Sequence, residues 1–358
     1  MKLLRPGNGR ARPALVLVLA ALTGAACLGS CFLAPDFSSL GRALALVVGS
    51  HPAFRNSSSW SPDSSRLLVA MGFFGTGNLY ELALDGSDPQ LLAEGPVIGA
   101  SLSPDGKTIL CEGWAVDETP DGGPRLTESE LWIVSVGSSD RIPIAVSHGW
   151  MPFMPTWSPD GSWIACVIQE HLDLVRPDLS ERRQLGPGTY PVWSPDGRVL
   201  ASIVVDDRTR ATWIQLIDVG TTLPVRLTPG TLPDWSPDGR GLAFADRNEA
   251  DAPDDSDVFV IDADGANRVR VCAGSVPRWS PDGRRILVLQ RTRDYESRLV
   301  TVAPDGSNER LLVEGASWGQ WSPDGRHVAF VREFDMFVID ADGTNEHKVA
   351  GPELRAGA

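Results

Sequence analysis

Short apolar runs alternate with turn-forming residues along most of this chain. Runs such as RLLVAM (66–71), RVLASIVV (198–205) and GLAFAD (241–246) are rich in branched residues and too short for helices. A second kind of run, such as DVFVIDADG (257–265), alternates and ends in a turn signal, and a third, such as ERLLVEG (309–315), leads into the next unit. The pattern predicts repeated units of four short β-strands, with a tryptophan at the start of the first strand.

The motif Trp-Ser-Pro-Asp-Gly, or a close variant, recurs seven times at spacings of 36 to 55 residues. Proline favours the second position of a turn, aspartate bonds its own backbone, and glycine accepts the left-handed conformation that closes a bulged hairpin. The motif therefore predicts a hairpin tip, and the large residue before it is expected to anchor packing between neighbouring sheets. The residues that open the seven copies are Trp60, Leu102, Trp157, Trp193, Trp235, Trp279 and Trp321.

Four-stranded units at a period of roughly forty residues predict a β-propeller. A single four-stranded sheet cannot bury both faces alone, and a ring of sheets leaves only short edges. We therefore expect an all-β fold with one propeller of four-stranded blades, seven in number, with six as the alternative. Residues 43–49 are expected to supply the outer strand of the last blade, with residues 347–351 as the alternative.

The repeated tips and their period resemble the propeller repeat of the TolB-like family, over residues 43–351. The resemblance implies a binding or scaffold propeller without catalytic activity. The chain departs from TolB itself, which carries an α/β domain ahead of its propeller, because residues 32–42 are too few to supply such a domain. A role in the Tol-Pal envelope system therefore does not follow from the resemblance.

Residues 1–31 have the layout of a bacterial secretion signal. A positively charged start precedes an apolar stretch at residues 14–26, and small residues follow it. The segment LGSC (28–31) resembles a lipobox, in which the cysteine is lipidated after cleavage, so Cys31 is the expected lipidation site. The alternatives are plain cleavage near Ala26 or beyond, and an uncleaved anchor.

Length and charge restrict the domain layout and the class of partner. Residues 32–42 are expected to be a linker and residues 43–358 the propeller, which leaves no room for a second domain. The chain has 46 acidic and 32 basic residues and a formal net charge of −14. This charge disfavours the phosphate neutralisation on which nucleic-acid affinity depends. We expect an extracytoplasmic bacterial monomer that touches a membrane only through its N-terminal lipid or uncleaved anchor, with no nucleic-acid partner.

Cysteines and histidines give no sign of a metal or cofactor site. After removal of the signal, Cys111, Cys166 and Cys272 remain in predicted strands of different blades, which is not the arrangement of a disulfide framework. The five histidines show no paired spacing, so no metal and no cofactor are expected. The segment GASWG (315–319) matches a hydrolase motif but is followed by no helical pattern, so we interpret it as a coincidence.

Connections between the second and third strands, and between units, emerge on one face and carry every insertion. Loops that vary on a rigid scaffold commonly bind partners. The connection SHGWMPFMP (147–155) is more apolar than a solvent loop needs, so it either lines a funnel mouth or caps a blade core. The candidate binding residues on this face are Trp114, Trp150, Phe153, Tyr190, Asp234, Arg278, Trp318 and Gln320.

The sequence therefore predicts a non-catalytic propeller that binds a protein, peptide or glycan through its loop-rich face. The alternative is a lyase or glycoside-active enzyme that uses acidic groups in the funnel, such as Asp117, Asp234 and Asp254. Glycoside hydrolysis would need paired carboxylates about 5 to 9.5 Å apart.

Overall fold

A computed structural model describes residues 58–71, 77–85, 87–118, 124–148, 153–247, 256–291, 296–333 and 335–350. The chain divides into two compact units, Met1–His51 and Pro52–Ala358, and the described residues all belong to the second. Every regular element in these ranges is a β-strand, which confirms the predicted all-β class. Cys31, the predicted signal and residues 43–49 lie outside the described residues.

The first sheet has seven strands, paired in chain order. They are β1 (Ser58–Trp60), β2 (Arg66–Met71), β3 (Gly77–Ala83), β4 (Gln90–Leu102), β5 (Thr108–Glu118), β6 (Pro124–Ser135) and β7 (Arg141–His148). Strand β4 serves two four-stranded units, because Gln90 and Leu91 pair with β3 whereas Ser101 and Leu102 pair with β5. We call these units 1 and 2.

Five further sheets have four antiparallel strands each, and we call them units 3 to 7. Unit 3 is β8 (Thr156–Trp157), β9 (Ile164–Ile168), β10 (His171–Val175) and β11 (Arg182–Pro187). Unit 4 is β12 (Thr189–Trp193), β13 (Val199–Val205), β14 (Thr212–Asp218) and β15 (Pro224–Pro229). Unit 5 is β16 (Thr231–Trp235), β17 (Gly241–Arg247), β18 (Ser256–Asp262) and β19 (Val269–Ala273). Unit 6 is β20 (Ser275–Trp279), β21 (Ile286–Arg291), β22 (Ser297–Val302) and β23 (Arg310–Glu314). Unit 7 is β24 (Ala316–Trp321), β25 (His327–Arg332), β26 (Asp335–Asp340) and β27 (His347–Ala350).

Units 1 and 7 pack against each other, so the units close into a ring. Trp60 and Leu67 of unit 1 share a buried cluster with Trp318 and Met336 of unit 7. The fourth strand of unit 7 is β27, which pairs with β26. The expectation that residues 43–49 supply this strand was therefore wrong, because the C-terminal run already fills the outer position of the sheet.

Each Trp-Ser-Pro-Asp-Gly tip is held by bonds within its own few residues. In unit 4, Ser194 Oγ donates to Asp196 Oδ1 at 2.7 Å and accepts from the Val199 amide at 2.9 Å. The fifth residue of each copy is left-handed, as in Gly197 with φ of 71°, and in the first copy this residue is Ser64 with φ of 62°. The predicted tip geometry is therefore present, but the tryptophan ends the first strand, as Trp193 ends β12, and does not start it.

Candidate functional site

First strands of successive units surround the centre of the ring. Strand β8 contacts β12, β12 contacts β16, β16 contacts β20 and β20 contacts β24. Each of these strands runs from an inter-unit connection to a tip, so its first residues lie near the loop-rich face. The sequence before the tryptophan therefore determines what the centre of the ring presents.

The residue three positions before the motif tryptophan has unusual backbone geometry in units 3 to 6. Met154, Tyr190, Leu232 and Val276 have φ values of 47°, 55°, 55° and 51°. Left-handed backbone is unfavourable for bulky residues, and most of all for a β-branched one such as Val276. The strand register shifts at this point in units 4, 5 and 6, as at a β-bulge. Bulges commonly re-aim side chains beside functional sites.

An extended motif accounts for this geometry, and sequence reasoning missed it. The segments GTYPVW (188–193), GTLPDW (230–235) and GSVPRW (274–279) share Gly, Ser or Thr, and Pro at fixed distances before the tryptophan. At Gly230 a β-carbon would lie 2.6 Å from Cδ2 of Phe244, and φ is 147°. Only glycine fits this close approach, so comparison of the repeats upstream of tryptophan would have revealed the bulge.

Polar residues directly before the tryptophan occupy the first strands of units 5 to 7. Asp234 Oδ2 accepts a hydrogen bond from the Trp279 amide at 2.8 Å, which ties unit 5 to unit 6. Arg278 Nη1 donates to the Pro277 carbonyl at 2.8 Å. Burial lowers the pKa of the Arg278 guanidinium, and the carboxylate of Asp234 acts in the opposite direction. Gln320 has a buried Oε1 with no hydrogen-bond partner among the described residues.

Phe153 is completely buried and belongs to the joint between units 2 and 3. It shares a cluster with Leu110 and Ile164. Its amide donates to Glu112 Oε1 at 2.6 Å, and its carbonyl accepts from the Val167 amide at 2.6 Å. Of the two interpretations of this connection, the structure places Phe153 in the core, where it is not available to a partner.

Glu112 is a buried carboxyl group that sequence reasoning did not single out. Only 2 % of its surface is exposed. Burial raises its pKa to about 7, while hydrogen bonds from the amides of Phe153 and Met154 act in the opposite direction. The equivalent position of the neighbouring strands is apolar, as in Val167 and Ile203, and this departure from the repeat was the available signal.

The remaining candidates divide between the core and the undescribed parts of the chain. Trp318 is 8 % exposed and packs in the joint between units 7 and 1. Tyr190 is half-buried at the equivalent position of unit 4. Trp150 and Asp254 lie outside the described residues, as do the side chains of Trp114 and Asp117.

Thiols and possible metal ligands do not gather at this centre. Cys111, Cys166 and Cys272 are buried free cysteines, and burial raises the pKa of each thiol, to about 12 for Cys111 and Cys272. Within the described ranges, no group of three or more His, Cys, Asp or Glu residues could hold a metal ion. Across the same ranges, no helix has the length and apolar character needed to cross a membrane.

Comparisons with known proteins agree with this architecture. Residues 182–356 match the family model of the TolB beta propeller domain. TolB from Acinetobacter baumannii has a TM-score of 0.50 at 17% identity, over 79% of this chain and 78% of that chain. An oligogalacturonate lyase in complex with manganese has a TM-score of 0.57 at 16% identity, over 80% of this chain and 84% of that chain. A chain of a mitotic checkpoint complex has a TM-score of 0.57 at 17% identity, over 83% of this chain and 91% of that chain. A search of curated proteins finds no match. The family match therefore covers residues 182–356, and the ring of four-stranded units is similar in fold to TolB-like β-propellers.

Proposed function

We propose that this chain is a non-catalytic, extracytoplasmic binding propeller. In this proposal it engages a protein, peptide or glycan partner through the face that carries its inter-unit connections. The observation that carries the proposal is the arc of left-handed residues at Met154, Tyr190, Leu232 and Val276. Strained backbone of this kind persists only where its surroundings enforce it, and it concentrates at ligand-binding sites.

The chemistry of this arc suits a partner with apolar groups. Met154, Tyr190 and Val276 are only half-buried, so part of each side chain remains accessible near the loop-rich face. Tyrosine offers contact area at a low entropic cost together with a hydroxyl group. The inner strands that carry these residues are fixed by packing between units, so the surface is preorganised and little ordering is needed on binding.

Site-specific photo-crosslinking tests the proposal. A benzoylphenylalanine at Tyr190 is expected to give adducts with a discrete partner from an extracytoplasmic extract. The same probe at Arg284, a side chain that is 86% exposed on a tip, is the matched control and should give none. Adducts that form at Arg284 and not at Tyr190 would show that the partner binds at the tips, and this result would overturn the proposal.

Localisation is part of the proposal and rests on the sequence of residues 1–31. Secretion followed by lipidation at Cys31 would hold the propeller at a membrane surface with one acyl-modified terminus. Replacement of Cys31 by Ser is expected to move the protein from the membrane fraction to the soluble extracytoplasmic fraction and to abolish labelling by a fatty-acid analogue. Unchanged fractionation would show that Cys31 is not lipidated, and plain secretion or an uncleaved anchor would then explain the location of the protein.

A propeller lyase is the second candidate function, because a manganese-bound oligogalacturonate lyase shares the fold. The sequence offers Asp117, Asp234 and Asp254 as acidic groups for such an enzyme. Among these three, Asp234 has a described side chain, and its carboxylate accepts a hydrogen bond from the Trp279 amide. Incubation with oligogalacturonates and manganese would decide the matter. Release of unsaturated uronides, measured by ultraviolet absorbance, would replace the binding proposal with an enzymatic one.

A further inference from the structure

Hydrogen bonding between the inner strands follows a rule that fails for two of the motif tryptophans. The indole Nε1 of a motif tryptophan donates to the carbonyl of the residue before the tryptophan of the preceding unit. Trp157 donates to Ser101 at 3.4 Å, Trp193 to Thr156 at 3.4 Å, Trp235 to Val192 at 3.2 Å and Trp321 to Arg278 at 3.2 Å. By this rule Trp279 and Trp60 would use Asp234 and Gln320, but both indole nitrogens are buried without a partner among the described residues.

Arg278, directly before Trp279 in the chain, has further unused donors. A guanidinium has five N–H donors, and within the described part of the chain its one hydrogen bond is from Nη1 to the Pro277 carbonyl. The Asp234 carboxylate offsets the charge of Arg278 but is bonded to the Trp279 amide. Arg278 is half-buried, so these N–H groups are open to an acceptor from outside the chain. The buried indole nitrogens of Trp279 and Trp60 are the costly donors, and unpartnered buried donors in native proteins mark bound water or a ligand.

A single unused acceptor accompanies these donors. Gln320 Oε1 is buried and has no hydrogen-bond partner in the described ranges. Gln320 and Arg278 occupy the same position of the repeat on β24 and β20, which contact each other. Units 3 and 4 carry Thr156 and Val192 at this position, and unit 5 carries Asp234. A guanidinium and a side-chain amide therefore occur there in units 6 and 7 alone.

We propose that Arg278 and Gln320 form a binding site for the C-terminal carboxylate of a partner peptide. This inference rests on the proposed binding function and names the group that the partner presents. Arg278 donates to both carboxylate oxygens, a geometry that its planar fork favours. Gln320 Oε1 accepts the amide N–H of the terminal residue, and the half-buried Val276, two positions before Arg278, offers an apolar contact to its side chain.

A matched pair of peptides provides the test. Fluorescein-labelled Gly-Ala-Leu is prepared as the free acid and as the C-terminal amide, and binding to the full chain is measured by fluorescence anisotropy. The free acid is expected to bind about tenfold more tightly or better, since charge-assisted bonds exceed neutral ones. Arg278→Met is expected to reduce the affinity for the acid to that for the amide. The control is Arg326→Met, whose side chain is 81% exposed on a tip, and it should change neither affinity.

Further variants keep the test decisive. Arg278→Lys retains the charge without the fork, so it should retain only part of the preference for the acid. Gln320→Leu should lower the affinity for the acid and for the amide by the same factor, because both peptides carry the backbone N–H that Gln320 Oε1 accepts. This second variant tests the site even if Arg278→Met does not fold.

Three results would overturn the site. Equal affinity for the free acid and the amide would show that the terminal carboxylate is not recognised. A preference for the acid that persists in Arg278→Met would show that Arg278 does not bind the carboxylate. Displacement of the peptide by free galacturonate at the same concentration as by free acetyl-leucine would show a general carboxylate site that does not select a peptide terminus. Crosslinks at Tyr190 without any preference for the acid would leave the proposed function standing and reject this site alone.

Discussion

Glu112→Gln should change how the stability of this protein depends on pH. The carboxyl group is buried, and its pKa is raised from an ordinary value of 4.5 to about 7. Between these two values the folded protein holds a proton that the unfolded chain releases. The free energy of unfolding therefore decreases as pH rises from 4.5 to about 7 and is constant above that window with respect to this group.

The size of the effect follows from the shift in pKa. Each unit corresponds to about 1.4 kcal/mol, so the two values imply about 3 kcal/mol for Glu112 across the window. Glutamine at this position remains neutral at every pH. The difference in unfolding free energy, variant minus wild type, should therefore rise by about 3 kcal/mol between pH 4.5 and pH 8.

Urea denaturation followed by tryptophan fluorescence measures this difference directly. Using the difference between two proteins cancels every other titrating group, because all of them are shared. Glu94→Gln, at an exposed glutamate of the same sheet, is the control for removing one negative charge. Parallel stability curves for wild type and Glu112→Gln would show that the carboxyl group is not held in a desolvated site, and the reasoning would fail.

Three further predictions concern the ring itself. Trp193→Ala removes an indole that is 7 % exposed in the joint between units 3 and 4, and should lower the free energy of unfolding by about 3 to 5 kcal/mol in the same assay. Gly230→Ala places a β-carbon 2.6 Å from Phe244 Cδ2, so a loss of about 1 to 3 kcal/mol is expected; an unchanged urea midpoint would contradict the close approach. Ser64 accepts the Asp324 amide at 3.0 Å across the closure of the ring and has φ of 62°. Ser64→Ala should therefore cost about 1 kcal/mol, and equal stability in thermal melts would show that this bond does not support closure.

Local chemistry explains which parts of the fold could be predicted from the sequence. The tips were predictable because Ser194, Asp196 and Gly197 satisfy one another within a few residues of chain. The first strands were misplaced because GTYPV (188–192) contains glycine, proline and a left-handed residue, none of which favours a strand. Packing between neighbouring units overrides that weak propensity. Ring closure was wrong for a related reason, since residues 43–49 and 347–350 fit an outer strand equally well.

Partners distant in sequence explain why the candidate site was only partly predictable. The residue before each tryptophan could be placed near the centre, because strand position follows from the motif. The role of Glu112 could not, since the Phe153 amide that it accepts lies 41 residues away in the next unit. The unpartnered indole of Trp279 was equally hidden, because its absent acceptor belongs to unit 5.

The repeat itself separates structural residues from candidate functional ones in this chain. Every unit must solve the same problems of turning the chain and packing on its neighbour, and the shared tip residues solve them with bonds that close locally. A residue that departs from the repeat at a buried position is not needed for those tasks and carries a desolvation cost. Glu112 meets that cost by holding two amides of the next connection. Within the described residues, the half-buried Arg278 bonds only the carbonyl of the residue before it, and Gln320 Oε1 is buried without a partner. That difference is why a ligand is assigned to the second pair and not to the first.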